Sequence, residues 1–539
     1  MLISDRNGII NIDNFEKVYK CEWFSVYLNG LIFCRGLKEG KESIQKICRE
    51  IERTNEIPFA SLFGSFTMVI DYNGERQVVF SDNSCMHGFF ISNHSVGSFF
   101  MDVIRYEGIK EFDAIGVCEY LELIRGGFSH RTYVKDVTFS SNLEYYVLHE
   151  GRIDREKKGI GSIDARSGID NPMEFFKDIS YAFSEKKTVC ALTGGFDSRA
   201  VASVLNKFRK YDCFISGDND KCSEIIQAKK AAEAGGYVMK HFRPEYPMIS
   251  DNIICEKFLS DGAYHVSFAT SEFRIEHFMN QLQSEGYDIL IDGNAGDMHK
   301  EFWFTQEFPF YGKKKSNPEF FYKSRMEQYS SVLGTAVSDH INEMEKMELD
   351  ELKNLTKETN TKSCLFYGYY HDWFPASARN TVSTSPALYS PLQEMELVRF
   401  SYGMMPRGKF MNFFLRDLIS KANIRVARVK TIYGTTASTE PLYLLRDFFA
   451  QMVRYCQQGI RFLVRKAFHK SIFIPQVNLK SIDDAVMQAG IVKEAFVWAQ
   501  ERNLILRDVE LSQIPFSIME KLLNLYFTEQ YCFQDKTGA

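Results

Sequence analysis

Residues 1–160 carry a pattern of apolar and polar positions that is typical of β-structure with a few helices. The segment 62–82, LFGSFTMVIDYNGERQVVFSD, predicts a hairpin, because two β-type runs flank the turn dipeptide Asn73-Gly74. The segment 132–153 indicates two more strands. Apolar residues recur at helical spacing in 39–54, and 112–123 has a helical pattern too, so we expect one helix in each.

The pattern changes after a polar stretch, residues 149–172, whose Gly, Asp, Lys and Pro content is typical of a linker. Short apolar strands then alternate with helices. The strands are TVCAL, YDCFISG, YVMKHFRP and YDILIDG, and the helices are SRAVASVLNKF and CSEIIQAKKAAEAG. This alternation predicts a parallel sheet with helices on both faces. The remainder, from about 310 to 539, has a mostly helical pattern.

We therefore predict a chain of mixed class, α/β together with α+β. A chain of 539 residues is too long for one compact core, so several domains are expected. The expected parts are a β-sandwich with helices over 1–160, a linker over 161–175, a parallel α/β domain over 176–440 and a helical C-terminal extension over 441–539.

Composition excludes several classes of protein. Hydrophobic residues make up 45% and charged residues 25% of the chain, which is ordinary for a soluble globular protein. The net charge of −5 gives no reason to expect nucleic-acid binding. We find neither a signal-peptide pattern nor an apolar run of about 18 residues, so we expect a cytoplasmic protein without a membrane span. The 12 cysteines form no C-x-x-C pair, which argues against a zinc ribbon or a redox dithiol.

The segment 189–205, VCALTGGFDSRAVASVL, carries the clearest chemical signal. A strand runs into Thr193-Gly194-Gly195, and a helix follows. Such a loop is either a tight strand-to-helix turn or a phosphate site, since backbone N–H groups and the positive end of the helix dipole meet there. Thr193 and Ser198 could donate hydroxyl hydrogen bonds to phosphate oxygens. Asp197 would repel a bare anion, so its presence favours a phosphate site with Mg²⁺ in between.

Three segments in order resemble the asparagine synthetase family. The [ST]-G-G-x-D-S loop is similar to the pyrophosphate loop of ATP pyrophosphatases. The segment 290–302, LIDGNAGDMHKEF, is similar to the S-G-x-G-x-D-E segment of the family. The segment 389–434 is similar to its P-F-L-D…K-x-x-L-R…K segment, with the matching residues Pro391, Lys409, Leu415, Arg416 and Lys430.

The resemblance implies an ATP-dependent ligase that joins a carboxylate to an amine or ammonia and releases AMP and pyrophosphate. In this interpretation Mg²⁺ lies on Asp197 and Asp297, and Lys430 is catalytic. The ATP-binding residues it implies are Leu192, Thr193, Gly194, Gly195, Asp197, Ser198, Ser216, Asp292 and Gly293. The expected partners are a small-molecule or peptide carboxylate and an amine or ammonia donor.

The N-terminal half resembles the class II glutaminase domain of the same family, though loosely. Asp82 matches, whereas NSCMHG replaces the usual glycine- and proline-containing part. Such a glutaminase uses an N-terminal cysteine as nucleophile. The sequence here begins Met1-Leu2-Ile3, and Cys21 is interpreted as a buried structural residue. We therefore expect a degenerate domain without glutaminase activity.

Two positions depart from the ligase part of the family. Asn294 and Met298 stand where asparagine synthetases carry glutamates, and Asn294 cannot act as a base. The proton of the incoming amine would then go to another group, such as Glu394, Glu301 or the product pyrophosphate. Three alternatives stay open: a lasso-type peptide macrocyclase, a catalytically dead binding homologue, and a different ATP pyrophosphatase such as a thiolating enzyme.

Overall fold

The structure is a computed structural model. It describes residues 2–4, 10–11, 15–84, 86–123, 129–161, 166–217, 219–243, 248–262, 264–300, 332–356, 386–404, 408, 410–468 and 484–534. Within these residues the chain is of mixed α/β class, with two antiparallel sheets near the N-terminus and one parallel sheet further on. No helix of the described part is long and apolar enough to cross a membrane.

The strands of the N-terminal region are β1 Leu2–Ser4, β2 Ile10–Asn11, β3 Glu16–Lys20, β4 Ser25–Phe33, β5 Phe63–Tyr72, β6 Arg76–Ser81, β7 Phe90–Ile91, β8 Ser95–Gly97, β9 Thr138–Phe139, β10 Glu144–His149 and β11 Arg152–Lys157. One sheet has the order β11-β10-β6-β5-β4-β3 and the other β2-β1-β8-β7-β9. All neighbouring strands in both sheets are antiparallel.

The two antiparallel sheets share one apolar core. Ile3, Ile91 and Val96 of the shorter sheet cluster with Val69 and Val79 of the longer one. The opposite face of the longer sheet is covered by the helix Lys41–Thr54, which buries its apolar stripe there. The N-terminal region therefore has three layers: the helix, the longer sheet and the shorter sheet. In each layer the buried residues recur at the spacing of its secondary structure.

The helices, besides the short 3₁₀ turns, are Lys41–Thr54, Phe100–Glu107, Ala114–Glu122, Pro172–Ala182, Asp197–Phe208, Ser223–Gly235, Asp251–Asp261, Thr270–Ser284, Thr335–Ser338, Ile341–Thr356, Met395–Gly403, Phe413–Ala422, Ile424–Arg428, Pro441–Phe468, Asp484–Met487, Gly490–Glu501 and Phe516–Thr528. The π-helical turn Glu529–Phe533 follows the last of them.

The parallel sheet is formed by β12 Thr188–Ala191, β13 Asp212–Ser216, β14 Met239–Phe242, β15 Ile289–Ile291 and β16 Ala387–Tyr389. Its order is β14-β13-β12-β15-β16, and all pairings are parallel. The chain thus moves outward from β12 in one direction, returns, and continues in the other from β15. In open parallel sheets, ligands bind beyond the carboxyl ends of the strands where the order reverses, which here is between β12 and β15.

The structure confirms the main predicted elements. The hairpin is β5 and β6, with positive φ at Asn73 and Gly74 in its turn. The four predicted parallel strands pair as expected, and β16 joins them as a fifth that the sequence pattern did not indicate. The interpretation of the whole stretch 149–172 as a linker was wrong, because β11 forms a ladder with β10 inside it.

The C-terminal helices return to the N-terminal region. Residues of Gly490–Glu501 and Phe516–Thr528 share one core with residues of Phe100–Glu107 and Ala114–Glu122. In that core Tyr133 donates a hydrogen bond to the carbonyl of Tyr264, 2.9 Å away. The two C-terminal helices therefore pack against two helices that lie almost 400 residues earlier in the sequence.

A buried polar cluster connects the parallel sheet to the antiparallel sheet. The Glu394 carboxyl, 2% exposed, accepts hydrogen bonds from the Gly64 amide at 2.9 Å, the Tyr389 hydroxyl at 3.0 Å and the Ser84 hydroxyl at 3.2 Å. Burial raises the pKa of Glu394 to about 8, although the Gly64 N–H acts to lower it; the nearby Asp82 carboxylate adds to the rise. Glu394 is thus a junction residue enclosed by both parts of the chain.

This raised pKa predicts a pH dependence of stability. The neutral form of Glu394 is favoured in the folded state, so its contribution is complete below the ordinary pKa of 4.5 and is lost as pH rises towards about 8. Glu394→Gln keeps a neutral group at every pH. We expect the free energy of unfolding of the variant, relative to the parent, to increase by at least about 1 kcal/mol between pH 5 and pH 8. Denaturant titrations at several pH values measure this difference.

Glu440→Gln is the matched control. The hydrogen bond from Arg428 lowers the pKa of Glu440 to about 2, so its titration ends below pH 5 and this variant should keep a constant offset from the parent above it. A constant offset for Glu394→Gln as well would contradict the proposed neutral state.

Candidate functional site

The candidate site lies where the parallel sheet reverses its order. The loop 192–196 leaves β12 and enters the helix Asp197–Phe208, and the loop 292–295 leaves β15 and enters the 3₁₀ turn Gly296–His299. Because β12 and β15 are parallel neighbours, both loops start at the same edge of the sheet. Most of the phosphate and metal residues predicted from the sequence lie in these loops or at the start of the helix and the turn that follow them.

The first loop is closed by its own hydroxyl groups. The Thr193 amide donates to the Ser198 hydroxyl at 2.9 Å, and the two hydroxyl oxygens are 2.8 Å apart. The first N–H groups of the helix Asp197–Phe208 have no intrahelical acceptor, as at any helix start. A helix N-terminus at the end of a parallel strand is a favourable place for an anionic group.

Two glycines let the second loop approach the first. A Cβ atom on Gly293 would lie 2.4 Å from the Ser198 backbone nitrogen, and one on Gly296 would lie 2.2 Å from the Asp197 Cγ. Any side chain would therefore separate the loops. Both sequence-predicted metal ligands, Asp197 and Asp297, are brought to one place by this contact.

The Lys300 ammonium lies between the two aspartates. Its Nζ is 2.5 Å from Asp197 Oδ2 and 3.0 Å from Asp297 Oδ1, and its side chain is 11% exposed. Burial by itself disfavours the charged amine, but the two carboxylates raise its pKa above the ordinary value. Burial raises the pKa of Asp197, and Lys300 opposes that rise. The site is thus a compact cluster of two anions and one cation.

The side chains of this cluster can be compared with the ligands of Mg²⁺, the ion that the sequence resemblance implies. Carboxylate oxygens are the ligands that Mg²⁺ prefers, and the Asp197 Oδ1 atom is buried without a hydrogen-bond partner. Asp197 and Asp297 therefore fit a divalent cation by their chemistry, while Lys300 is the cation that the structure places there. Among the described residues, no group of three or more His, Cys, Asp or Glu side chains is arranged to hold a metal ion.

Arg199 joins the segment of Lys430 to the first loop. This side chain is fully buried and donates to the carbonyls of Val429 at 2.7 Å, Lys430 at 3.2 Å and Gly194 at 3.4 Å. The Ile432 amide donates to the same Gly194 carbonyl at 3.0 Å. Burial lowers the pKa of Arg199 to about 10. Lys430 itself is exposed, and its backbone is fixed beside the loop.

Other predicted residues occupy less central positions. Leu192 is buried in the core, and Ser216 is exposed at the end of β13. The Asp292 carboxylate accepts hydrogen bonds from the Ser390 hydroxyl at 2.6 Å and the Asn294 amide at 3.0 Å. Burial raises the pKa of Asp292 to about 6.

Asn294 and Met298, the two positions that differ from the motif considered in the sequence analysis, have different surroundings. Asn294 is exposed, whereas Met298 is 1% exposed and belongs to the largest apolar core. Of the other residues considered from the sequence, Glu301 and Lys409 lie outside the described part of the chain.

No protein-family model matches the chain, and no curated protein matches it significantly in sequence.

The sequence reasoning missed Lys300 and Arg199. Arg199 directly follows the predicted loop, but nothing local indicates that two of its three acceptors, the carbonyls of Val429 and Lys430, are 230 or more residues away. Lys300 follows Asp297 by three residues, and side chains at this spacing eclipse each other in a 3₁₀ turn. The three-residue spacing of Asp297 and Lys300 is visible in the sequence, but the sequence pattern did not predict the 3₁₀ turn that brings the two side chains together.

Replacing Arg199 by lysine should loosen the Lys430 segment. A single ammonium cannot reach three carbonyls in two segments, and hydrogen bonds from a charged donor contribute about 1.5–3 kcal/mol. We expect the amides of 430–434 to exchange hydrogen at least about tenfold faster in Arg199→Lys, the change that roughly 1.4 kcal/mol of local stability gives. Hydrogen exchange followed by mass spectrometry measures this segment.

Arg209→Lys is a matched control at the other end of the same helix. Arg209 donates to the carbonyls of Phe183 and Lys186, away from the site, so exchange in 430–434 should stay unchanged in that variant. Equal exchange in Arg199→Lys and the parent would show that Arg199 does not hold the segment.

Proposed function

We propose that the protein is an ATP-dependent, AMP-forming ligase that joins a carboxylate to an amine or ammonia. The observation that carries this proposal is the meeting of Asp197 and Asp297 at the reversal point of a parallel sheet, with the Lys430 segment fixed beside the same loop. This is the place where an open parallel sheet binds its ligand. Described parts of the three sequence motifs, residues 193–198, 293–300 and 429–432, contact one another there.

The proposed reaction has two steps. An oxygen of the substrate carboxylate attacks the α-phosphorus of ATP, the bond to the β-phosphate bridging oxygen breaks, and pyrophosphate leaves an acyl-adenylate behind. The amine nitrogen then attacks the acyl carbon, AMP leaves, and the amine gives up a proton. In both steps the protein contributes orientation and fixed charges.

Named residues have separate roles in this proposal. The first N–H groups of the helix Asp197–Phe208 and the hydroxyls of Thr193 and Ser198 bind phosphate oxygens. Asp197 and Asp297 hold Mg²⁺, which supplies positive charge to the pyrophosphate group. Lys430 stabilises the negative charge that develops during the attack, an interaction that favours the transition state over the ground state.

Glu394 is not the base in this proposal. Its carboxyl is enclosed by Gly64, Ser84 and Tyr389 at the junction of the sheets, and Asn294 has no basic atom. The proton of the amine goes either to a residue other than these two or to the product pyrophosphate. The carboxylate belongs to a small molecule or a peptide. Where the amine belongs to the same peptide, the enzyme is a macrocyclase of the lasso type.

One observation favours a second candidate, a nucleotide-binding homologue without catalysis. Lys300 stands between the two carboxylates that the ligase interpretation gives to Mg²⁺. A protein that binds nucleotide without cleaving it would need such a charge but no metal. The two candidates differ in their products: the ligase releases AMP and pyrophosphate, and the binding homologue releases neither.

Replacing Lys430 tests the ligase proposal. The protein is incubated with ATP, Mg²⁺, hydroxylamine as a general nucleophile, and a panel of amino acids and dicarboxylates, and AMP is measured. Lys430→Ala should lower AMP release by about 10²–10³, the usual effect of losing one group that stabilises developing charge. Binding of a fluorescent ATP analogue should change far less, because the interaction forms mainly in the transition state.

Arg428→Ala is the neighbouring control. Arg428 is exposed and pairs with Glu440, so its loss should leave AMP release near the parent rate. Normal turnover in Lys430→Ala combined with loss in Arg428→Ala would contradict the assignment of Lys430. Release of ADP in place of AMP would contradict the reaction itself, and nucleotide binding without any cleavage would favour the binding homologue.

A further inference from the structure

We propose that Lys300 is an internal counter-ion that keeps free divalent cations off the Asp197–Asp297 pair. A divalent cation then reaches this pair together with a nucleotide and not before it. The exclusion of the free cation is inferred from the structure alone; the arrival of the cation with the nucleotide rests on the proposed function.

The geometry gives Lys300 a place that a cation would otherwise take. One nitrogen atom lies within 3.0 Å of a carboxylate oxygen from each aspartate. The contact is built into the local fold, because the Lys300 amide donates to the Asp297 carbonyl at 3.1 Å and closes the turn Gly296–His299. Asp197 is the first residue of the helix that follows β12, and it reaches the ammonium only because Gly296 has no side chain.

Charge balance explains why the ammonium stays there. Two carboxylates held this close would repel each other, and the Lys300 side chain is mostly buried, so each group depends on the other for compensation. A free divalent cation would have to displace the ammonium. The displaced Lys300 would then be a largely buried charge without a partner, which is strongly unfavourable.

A nucleotide changes this balance. Its phosphate groups bring negative charge that can pair with the displaced ammonium, so the cation and Lys300 no longer compete for the same two oxygens. The Asp197 Oδ1 atom, buried and without a partner in the structure, leaves one carboxylate oxygen available to an incoming ligand. Metal binding and phosphate binding are thus coupled through one lysine.

Binding of Mn²⁺, used as a spectroscopic probe, tests this proposal without any turnover. The free Mn²⁺ signal in electron paramagnetic resonance is titrated with parent protein and with Lys300→Met, both without nucleotide. We expect Lys300→Met to bind one Mn²⁺ at least about tenfold more tightly than the parent, a difference of roughly 1.4 kcal/mol. Asp297→Asn in the Lys300→Met background should remove that binding.

Lys240→Met is the matched control, since Lys240 pairs with Glu285 near the edge strand β14, away from the site. It should bind Mn²⁺ no better than the parent. Thermal unfolding establishes that each variant is folded, and Lys300→Gln replaces Lys300→Met if the latter does not fold. Equal Mn²⁺ affinity of the parent and the Lys300 variant overturns the proposal. Absence of binding in both also overturns it, because the pair would then not be a cation site that Lys300 protects.

A second titration separates this proposal from the proposed function. Addition of a non-hydrolysable ATP analogue to the parent should lower the free Mn²⁺ signal further than the same analogue does without protein, and Asp297→Asn should reduce that difference. Mn²⁺ that binds the parent equally with and without the analogue overturns the coupling. Failure of AMP release in the turnover assay contradicts the ligase proposal and leaves the exclusion of free Mn²⁺ by Lys300 intact.

Discussion

The site depends on two carboxylates that share one small space at the edge of a parallel sheet. Asp197 and Asp297 come from segments that are 100 residues apart, and the reversal of strand order between β12 and β15 brings them together. Like charges at this distance repel each other, and the Lys300 ammonium compensates them. The close contact of the two loops also requires glycine at 293 and 296.

A third segment is joined to this pair through the backbone. The Arg199 guanidinium donates hydrogen bonds to the carbonyls of 429, 430 and 194. A buried arginine with several carbonyl acceptors fixes the distance between two loops more rigidly than one backbone hydrogen bond does. Three segments that the sequence analysis treated separately therefore form one site with a defined geometry.

Two groups of contacts connect the parallel sheet and the C-terminal helices to the N-terminal region. Glu394 links the parallel sheet to the antiparallel sheet by accepting a hydrogen bond from the Gly64 amide, so the N-terminal region is attached to the region of the parallel sheet by a buried polar contact. The C-terminal helices pack on the helices 100–122 and extend the same assembly. The N-terminal region thus packs against the parallel sheet through buried polar contacts.

The sequence by itself determined the local elements and the candidate chemistry of each loop. The hairpin around Asn73-Gly74, four of the five strands of the parallel sheet, and the loop from Thr193 to Ser198 follow from short-range patterns, since periodicity and turn residues act within a few positions. The sequence also predicted Asp197, Asp297 and Lys430 as site residues, because three segments resemble one family in the same order.

The tertiary structure alone decided what these groups contact. β16 is a three-residue strand that shows no period of its own and forms because β15 offers it an edge. Arg199 pairs with a carbonyl 230 residues away, Glu394 with an amide 330 residues away, and Lys300 with an aspartate 103 residues away at the start of a helix. Such contacts depend on how layers pack and on which charges burial forces together, and neither is encoded in the spacing of neighbouring residues.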